Sequence, residues 1–537
     1  MAAPVRTVLR NAKSTHNNKA PTATEPPAPD DALSVLPVEI LEMILGTVGD
    51  TKIYIDGWSC SQKLRSHMRY KGQQRKFSTR LDPDAVPPCV DYGIILRYLE
   101  EVLKNLKNLE IVETTELTES MSHSLLAQRN LKALRLYPKS ELEDEATTSL
   151  VKIKNLQHLS IVDNWGYLIA SSESIVQSML LNSMSTIQSL DIRTFKSNCD
   201  FLADWKEKIK ARDPDALKQP HDFTVLKSLA LSGMKFAGPY AERIMPNLTR
   251  AFDFLALREL SVSSLNESRT TFFNYLEALF SSVDRREICL RSLSLQMHGN
   301  YYGQDYLETE LQLECVYRFI ASFDTLVSLQ LDEYNKYWGV VETYPGLSTS
   351  LQQAILKHRD LETLRFHYDP MGDSGRIIPY VPAITVALLT ESLPQLRVLE
   401  FPPQETNFHE MAQALSQAKN LKSLTCTPYP SLHDRSQGDT SFTLAKTILE
   451  GFLTNTRIIG EFVWEDHYNL TQLAIGWRCN FKVGSALKPG GYFQPAPVTI
   501  SKGGSTVMCL RLAQESEPDM YLNPDTDWVD KVAKFML

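Results

Sequence analysis

The sequence predicts an α/β solenoid, with parallel strands on a concave side and helices on a convex side, preceded by a small all-α N-terminal module. Three observations predict it. A heptapeptide pattern, apolar-x-x-Leu-x-apolar-x, recurs twelve times in order along 537 residues. Stretches with helical apolar spacing fall between the copies, and a short apolar-striped segment follows a Pro- and Thr-rich head. A chain this long, against a usual domain of roughly 100–200 residues, otherwise implies about three domains, and one extended repeat architecture accounts for the length instead.

Residues 1–32 are poor in large apolar groups and read as a disordered tail. They contain no apolar core of seven or more residues, so no signal peptide is expected. Next comes LSVLPVEILEMILGTVGD (33–50), where Leu36, Ile40, Leu41, Ile44, Leu45 and Val48 mark one face of a helix. Pro37 suits the first turn, and Gly46 and Gly49 stop the far end. A helix of about 12 residues is marginal alone, so its stripe must pack against something. The run 63–80 carries Lys63, Arg65, Arg69, Lys71, Arg75, Lys76 and Arg80 without an acid. It reads as a solvated face rather than a nucleic-acid site, since stacking aromatics are not interleaved.

The repeats run LKNLEIV (106–112), LKALRLY (131–137), LQHLSIV (156–162), IQSLDIR (187–193), LKSLALS (226–232), LRELSVS (257–263), LRSLSLQ (290–296), LVSLQLD (326–332), LETLRFH (361–367), LRVLEFP (396–402), LKSLTCT (421–427) and LTQLAIG (470–476). Their x-Leu-x-apolar portion alternates with period two, which marks a short strand with one buried face. Helical spacing appears at 175–184, 272–283, 316–323, 351–358, 384–393, 411–418 and 444–453. A strand, a crossover and another strand of the same sense stack in parallel, because no unit buries its apolar face alone. An all-helical solenoid with Leu-x-x-Leu ridges is the competing fold. The stretch 199–222 reads as an extra helix or loop, and 444–464 could hide a degenerate repeat. Residues 489–512 read as a turn-rich β segment covering the end of the stack, and 525–537 as a short amphipathic helix.

Over residues 95–480 these units resemble the leucine-rich-repeat family in its longer, irregular form, so the solenoid is assigned to 81–480 and a C-terminal cap and tail to 481–537. The segment at Leu36, Pro37, Glu39, Ile40, Leu41, Ile44 and Leu45 resembles the opening Leu-Pro-x-Glu-Ile/Leu-Leu-x-x-Ile-Leu of an F-box. That resemblance implies an F-box-like helical module over 33–80 whose seven named residues dock on a Skp-type adaptor and, through it, on a cullin. After about 15 residues the pattern fades, and only Ile53, Tyr54, Trp58, Leu64, Met68 and Tyr70 are left to rebuild the module's core. The other reading of the helix is a cap on the first repeat. The order of tail, F-box-like helix and irregular leucine-rich repeats is that of substrate receptors in Skp–cullin–F-box ubiquitin ligases. It implies a non-catalytic protein that selects a target for ubiquitylation and proteasomal degradation. A leucine-rich-repeat scaffold unattached to a ligase is the alternative.

Composition narrows the rest. The balance of 56 basic and 64 acidic residues, net −8, argues against a dedicated nucleic-acid or membrane-surface binder. No apolar run approaches the roughly 20 residues that span a bilayer. The eight scattered cysteines form no Cys-x-x-Cys pair and no metal-spaced cluster, so a reducing compartment, cytoplasmic or nuclear, is expected, with no metal and no cofactor. No nucleophile elbow, zinc-protease, P-loop or dinucleotide motif occurs, so no catalytic residue is assigned.

Target contact is expected on the concave sheet and on one rim. The third and fifth motif positions point away from the core. They run from Asn108 and Glu110 in the first unit to Gln472 and Ala474 in the last, and are mostly Ser and other small groups. Three consecutive units carry aromatic residues in the loops after their strands: Tyr301 and Tyr302; Tyr334, Tyr337 and Trp338; Tyr368. With Gln296, Gln330 and Arg365 beneath them they form the candidate target site, since Tyr and Trp dominate interface hot spots. The other reading packs those rings within their own loops.

Overall fold

The structure is a computed structural model. It describes residues 54–55, 58–59, 76–79, 92–106, 108–114, 117–137, 148–163, 170–194, 202, 204–212, 219–233, 241–263, 269–298, 306–334, 347–368, 381–403, 408–426, 437–455, 463–475, 479–484, 498–502, 505–511 and 532. The chain opens with β1 (Tyr54–Ile55), β2 (Trp58–Ser59) and β3 (Lys76–Thr79), then α1 (Tyr92–Asn105). Strands and helices then alternate: β4 (Ile111–Thr114), α2 (Glu119–Leu126), β5 (Ala133–Leu136), β6 (His158–Asp163), α3 (Ala170–Ser183), β7 (Ser189–Thr194), α4 (Trp205–Arg212) and β8 (Ser228–Ser232). The middle holds α5 (Ala241–Ala251), β9 (Glu259–Ser263), α6 (Arg269–Ser281), β10 (Ser292–His298), α7 (Tyr306–Ala321), β11 (Ser328–Tyr334), α8 (Thr349–Leu356) and β12 (Thr363–Tyr368). The last rungs are α9 (Ala383–Ser392), β13 (Val398–Phe401), α10 (Phe408–Leu415), β14 (Ser423–Cys426), α11 (Gln437–Asn455), α12 (Trp464–His467) and β15 (Gln472–Ile475). They are followed by β16 (Cys479–Gly484), β17 (Val498–Lys502) and β18 (Ser505–Arg511).

From β3 to β15 every neighbour pair is parallel and follows chain order. One hydrogen-bond device repeats at each step from β4 to β15. The carbonyls of Glu110, Lys132, Gln157, Gln188, Lys227, Arg258, Arg291, Val327, Glu362, Arg397 and Lys422 each accept two N–H groups from the following rung. The motif leucines therefore sit in register, Leu134 beside Leu159 beside Leu190, which excludes the all-helical alternative. All seven segments read as helical fall on helices, six of them running one to three residues past the observed end. The stretch 199–222 contributes α4. No rung is inserted at 444–464, because β14 pairs directly with β15. At the far end β16 pairs antiparallel with β15 and covers its edge, and the described strands of the 489–512 segment, β18 and β17, extend that cover outward.

Two sequence expectations shift. The first repeat is framed three residues later than LKNLEIV. Val112, not Leu109, pairs with Leu134, and the outward residues are Ile111 and Glu113, not Asn108 and Glu110. Leu106 misled because it closes α1, where a buried leucine at helical spacing imitates the first position of the motif. The second shift concerns 33–80. Its described residues are strands: β3 is an additional parallel rung beside β4, and β1 pairs antiparallel with β2 and β3. Lys76-Phe77-Ser78-Thr79 carries Phe77 and Thr79, residues that suit a strand, and it is held between β4 and β1. The helix predicted from Leu36 and the tail 1–32 lie outside the described residues, as does 525–537 apart from Val532.

The core lies between the sheet and the helices. Leu134, Leu159, Leu190, Leu229, Leu260, Leu293, Leu329, Leu364, Leu399, Leu424 and Leu473 are each at most 2 % exposed. Full burial of one such side chain is worth about 1.5–3 kcal/mol, so a stacked column of them dominates stability. An aromatic chain, Trp205–Phe223–Phe252–Phe254–Phe272–Phe273–Phe319–Phe323, runs through the middle of this layer with ring centres 5.3–6.3 Å apart.

Side chains also staple turn to turn. The first-position N–H groups of Leu109, Leu156 and Leu326 donate to Gln128 Oε1, Ser183 Oγ and His358 Nδ1, each from the turn one rung ahead. These are buried or half-buried N–H groups at the mouth of a strand, where an unmet donor costs stability.

Candidate interaction surface

The sheet face turned away from the helices, here the far face, carries the third and fifth motif positions. It is divided. On β8, β9, β13 and β14 the burial alternates, leaving Ser228, Ala230, Ser261, Val398, Glu400, Ser423 and Thr425 half-exposed. Ser292, Ser294, Ser328, Gln330, Thr363 and Arg365 continue the half-exposed strip across β10–β12. On β4 and β5 every residue is buried on both faces.

The buried part is charged. Arg135 is fully buried, with Nη1 3.9 Å from Glu113 Oε1 and Nη2 3.8 Å from Asp191 Oδ2. Ser160 Oγ donates to Asp191 Oδ2 at 3.0 Å, and Arg193 Nε donates to Asp191 Oδ1 at 2.8 Å. Tyr137 Oη donates to Glu113 at 3.2 Å, and the Arg135 guanidinium lies over the Tyr137 ring, 4.9 Å from its centre. Two acids and two arginines balance, as buried charges must. His158, beside this group on β6, is buried, and burial pulls its pKa down to about 4, so it is neutral near pH 7. The sequence reading missed this cluster because polar residues at outward positions read as solvent-facing. Framing the first unit on Val112 would have aligned Glu113 with Arg135, Ser160 and Asp191.

The predicted target residues divide likewise. Gln330 and Arg365 are register partners at the centre of the open strip, and Arg365 pairs onward with Glu400. Gln330 Nε2 donates to both Asp332 oxygens at 3.2 Å. Arg365 Nε lies 3.9 Å from Glu400 Oε2, a charge contact longer than a hydrogen bond. Gln296, Tyr334 and Tyr368 belong to the backbone of β10, β11 and β12. There Gln296 is opposite Asp332, His298 opposite Tyr334, and Glu333 opposite Tyr368. The three strands thus end side by side, and the loops they feed begin as neighbours. Tyr301, Tyr302, Tyr337 and Trp338 lie outside the described residues, as do Leu36, Pro37, Glu39, Ile40, Leu41, Ile44 and Leu45 of the adaptor segment.

Among the described residues no group of three or more His, Cys, Asp or Glu could hold a metal ion, and no helix is long and apolar enough to cross a membrane. No protein-family model matches this chain, and no curated protein matches it.

Proposed function

We propose that this chain is the non-catalytic substrate-recognition subunit of a Skp–cullin–F-box ubiquitin ligase. The segment from Leu36 to Leu45 grips the adaptor, and the far face of the solenoid receives a protein target. The observation that carries target binding is the open strip of β8–β14: seven adjacent rungs present small and polar side chains, with the ends of β10–β12 aligned beside it. Small groups let a target backbone approach closely, and aromatic loops at the strand ends supply contact area. Adaptor binding rests on the F-box-like residues alone. In this reading the chain selects a target and other subunits perform the transfer.

A second reading, an interaction scaffold without a ligase, is favoured by one observation. The strands at 54–55, 58–59 and 76–79 occupy stretches where a complete three-helix module would need helix, and β3 belongs to the solenoid. Capture of a Skp-type adaptor separates the two. The intact chain should recover the adaptor, and a Leu36→Ala/Pro37→Ala variant should recover at least tenfold less, as roughly 1.4 kcal/mol of lost binding dictates. Equal recovery, or none from either chain, establishes the scaffold.

A further inference from the structure

The crossover helix α4 carries one-sided charge. Within it Lys206, Lys208, Lys210 and Arg212 stand against Glu207 alone, in a chain of net charge −8. All five are exposed, while the buried Trp205 and Ile209 fix the helix to the core. Helix stability does not explain this set. Lys206 lies in the first turn, where the helix dipole disfavours a positive charge. Lys206 with Lys210, and Lys208 with Arg212, are like charges four residues apart, an arrangement that destabilises a helix.

The surroundings extend the positive surface more than they cancel it. Asp204, just ahead of α4, is an exposed acid. The described side chains of α3 (175–183) carry no charge, and those of α5 (245–251) carry only Arg250, which pairs with Asp222 at 3.0 Å. Lys208 donates to Gln177 of α3, and Arg212 Nη1 donates to Asn182 Oδ1 at 2.9 Å. Asn182 Nδ2 in turn donates to the carbonyls of Val151 at 2.7 Å and Ile153 at 3.1 Å. Arg212 is thereby tied to the turn at 151–155, ahead of β6, where Lys152 and Lys154 are also exposed.

We propose that α4 and the 151–155 turn form a docking surface for an acidic polypeptide segment of a partner protein. The chemistry favours that partner over other polyanions. The exposed residues of α4 include no large apolar side chain that could enter a bilayer, and no aromatic ring on which a base could stack. The spacing fits as well. Lys206 and Lys210, like Lys208 and Arg212, are about 6 Å apart along the helix axis. Alternate side chains of an extended peptide are about 6.8 Å apart, a difference that long Lys and Arg side chains absorb. The surface lies on the helical side of the solenoid, so it depends neither on the adaptor segment nor on the far-face strip.

Fluorescence anisotropy on the full chain tests it, with a labelled peptide of alternating glutamate and alanine, about ten residues long so that it spans α4 when extended. Wild type should bind this peptide at least about tenfold more tightly than its glutamine–alanine counterpart. Added salt should weaken the binding. Lys206→Glu/Lys210→Glu should weaken it about tenfold. Lys419→Glu/Lys422→Glu, the same charge change at exposed positions ahead of β14, should stay within about twofold of wild type. Lys206→Gln/Lys210→Gln removes the charges without reversing them and keeps good helix formers, so it serves if the glutamate variant fails to fold, and it should weaken binding about threefold. Equal affinity for the two peptides, equal weakening by changes at both places, no weakening by the glutamine variant, or tighter binding of an oligothymidylate than of the acidic peptide overturns the proposal.

Discussion

Replacing His358 with glutamine should leave the protein folded at neutral pH and make it more resistant to acid. His358 is fully buried. Its Nδ1 accepts the Leu326 N–H at 3.2 Å, and Nε2 faces the Ile320 carbonyl at 3.1 Å. Those two bonds require a neutral ring with its proton on Nε2. Burial, the largest influence, pulls the pKa down from 6.5 to about 4. The native state therefore binds the proton more weakly than the unfolded chain, and stability is lost as pH falls below 6.5, the full loss being reached below about 4. A drop of that size corresponds to ~3 kcal/mol in all, with ~2 kcal/mol of it already lost at about pH 5. Gln128 shows that an amide can do the same work. One repeat end to another, it accepts the Leu109 N–H through Oε1 at 3.2 Å and donates Nε2 to the Leu106 carbonyl at 2.5 Å. Urea unfolding of wild type, His358→Gln and His358→Leu at about pH 7.5 and pH 5 reads the effect. The glutamine variant should match wild type within ~1 kcal/mol at the higher pH and lose ~2 kcal/mol less on acidification. The leucine variant should be less stable by ~2–4 kcal/mol at the higher pH, because a buried donor and acceptor lose their partner, and this gap should narrow by ~2 kcal/mol at about pH 5, since it too lacks the titrating ring. If His358→Gln loses as much stability in acid as wild type, His358 is not the group that titrates and the reasoning fails.

Four further outcomes follow from packing and charge. A Cβ at Gly451 would come within 2.4 Å of Ala412 Cβ and 2.9 Å of its carbonyl carbon, where α11 crosses α10. Gly451→Ala should therefore cost ~1–3 kcal/mol in a denaturant titration, and an unchanged midpoint would show that these helices part easily. Asp191→Ala removes the partner of Arg135, Arg193 and Ser160 and should cost ~3–5 kcal/mol, since it leaves buried positive charge uncompensated. Ser294→Ala on the open strip should stay within ~0.5 kcal/mol of wild type by the same assay. Phe319→Ala, in the middle of the aromatic chain, should lower stability by ~3–5 kcal/mol, and a smaller loss would mean that Phe273, Phe280 and Phe323 collapse into the space.

Much of the fold was legible because the leucine rungs obey two simple rules at once: alternation along each strand and helical spacing between strands. Eleven of the twelve units are framed as the pattern predicts, and the exception at Leu106–Val112 arises where a helix-terminal leucine abuts the strand. The rung β3 was not legible, because Lys76-Phe77-Ser78-Thr79 carries one large apolar residue and its strand character depends on β4 lying beside it. The candidate site was half legible. Gln330 and Arg365 are neighbours, as the motif register requires. The burial of the far face of β4–β6 depends on long-range packing, and nothing in Arg135 or Asp191 taken alone distinguishes a buried pair from a solvated one.

The proposed function requires two separable surfaces, one for an adaptor and one for a target, and the direct measurement is a paired affinity capture. Wild type, Leu36→Ala/Pro37→Ala and Tyr334→Ala/Trp338→Ala chains would be recovered from the same cells, and their bound adaptor and other proteins quantified. The account predicts that the first variant loses the adaptor and keeps its other partners, while the second keeps the adaptor and loses those partners. Loss of both classes by either folded variant, or retention of both by each, contradicts it.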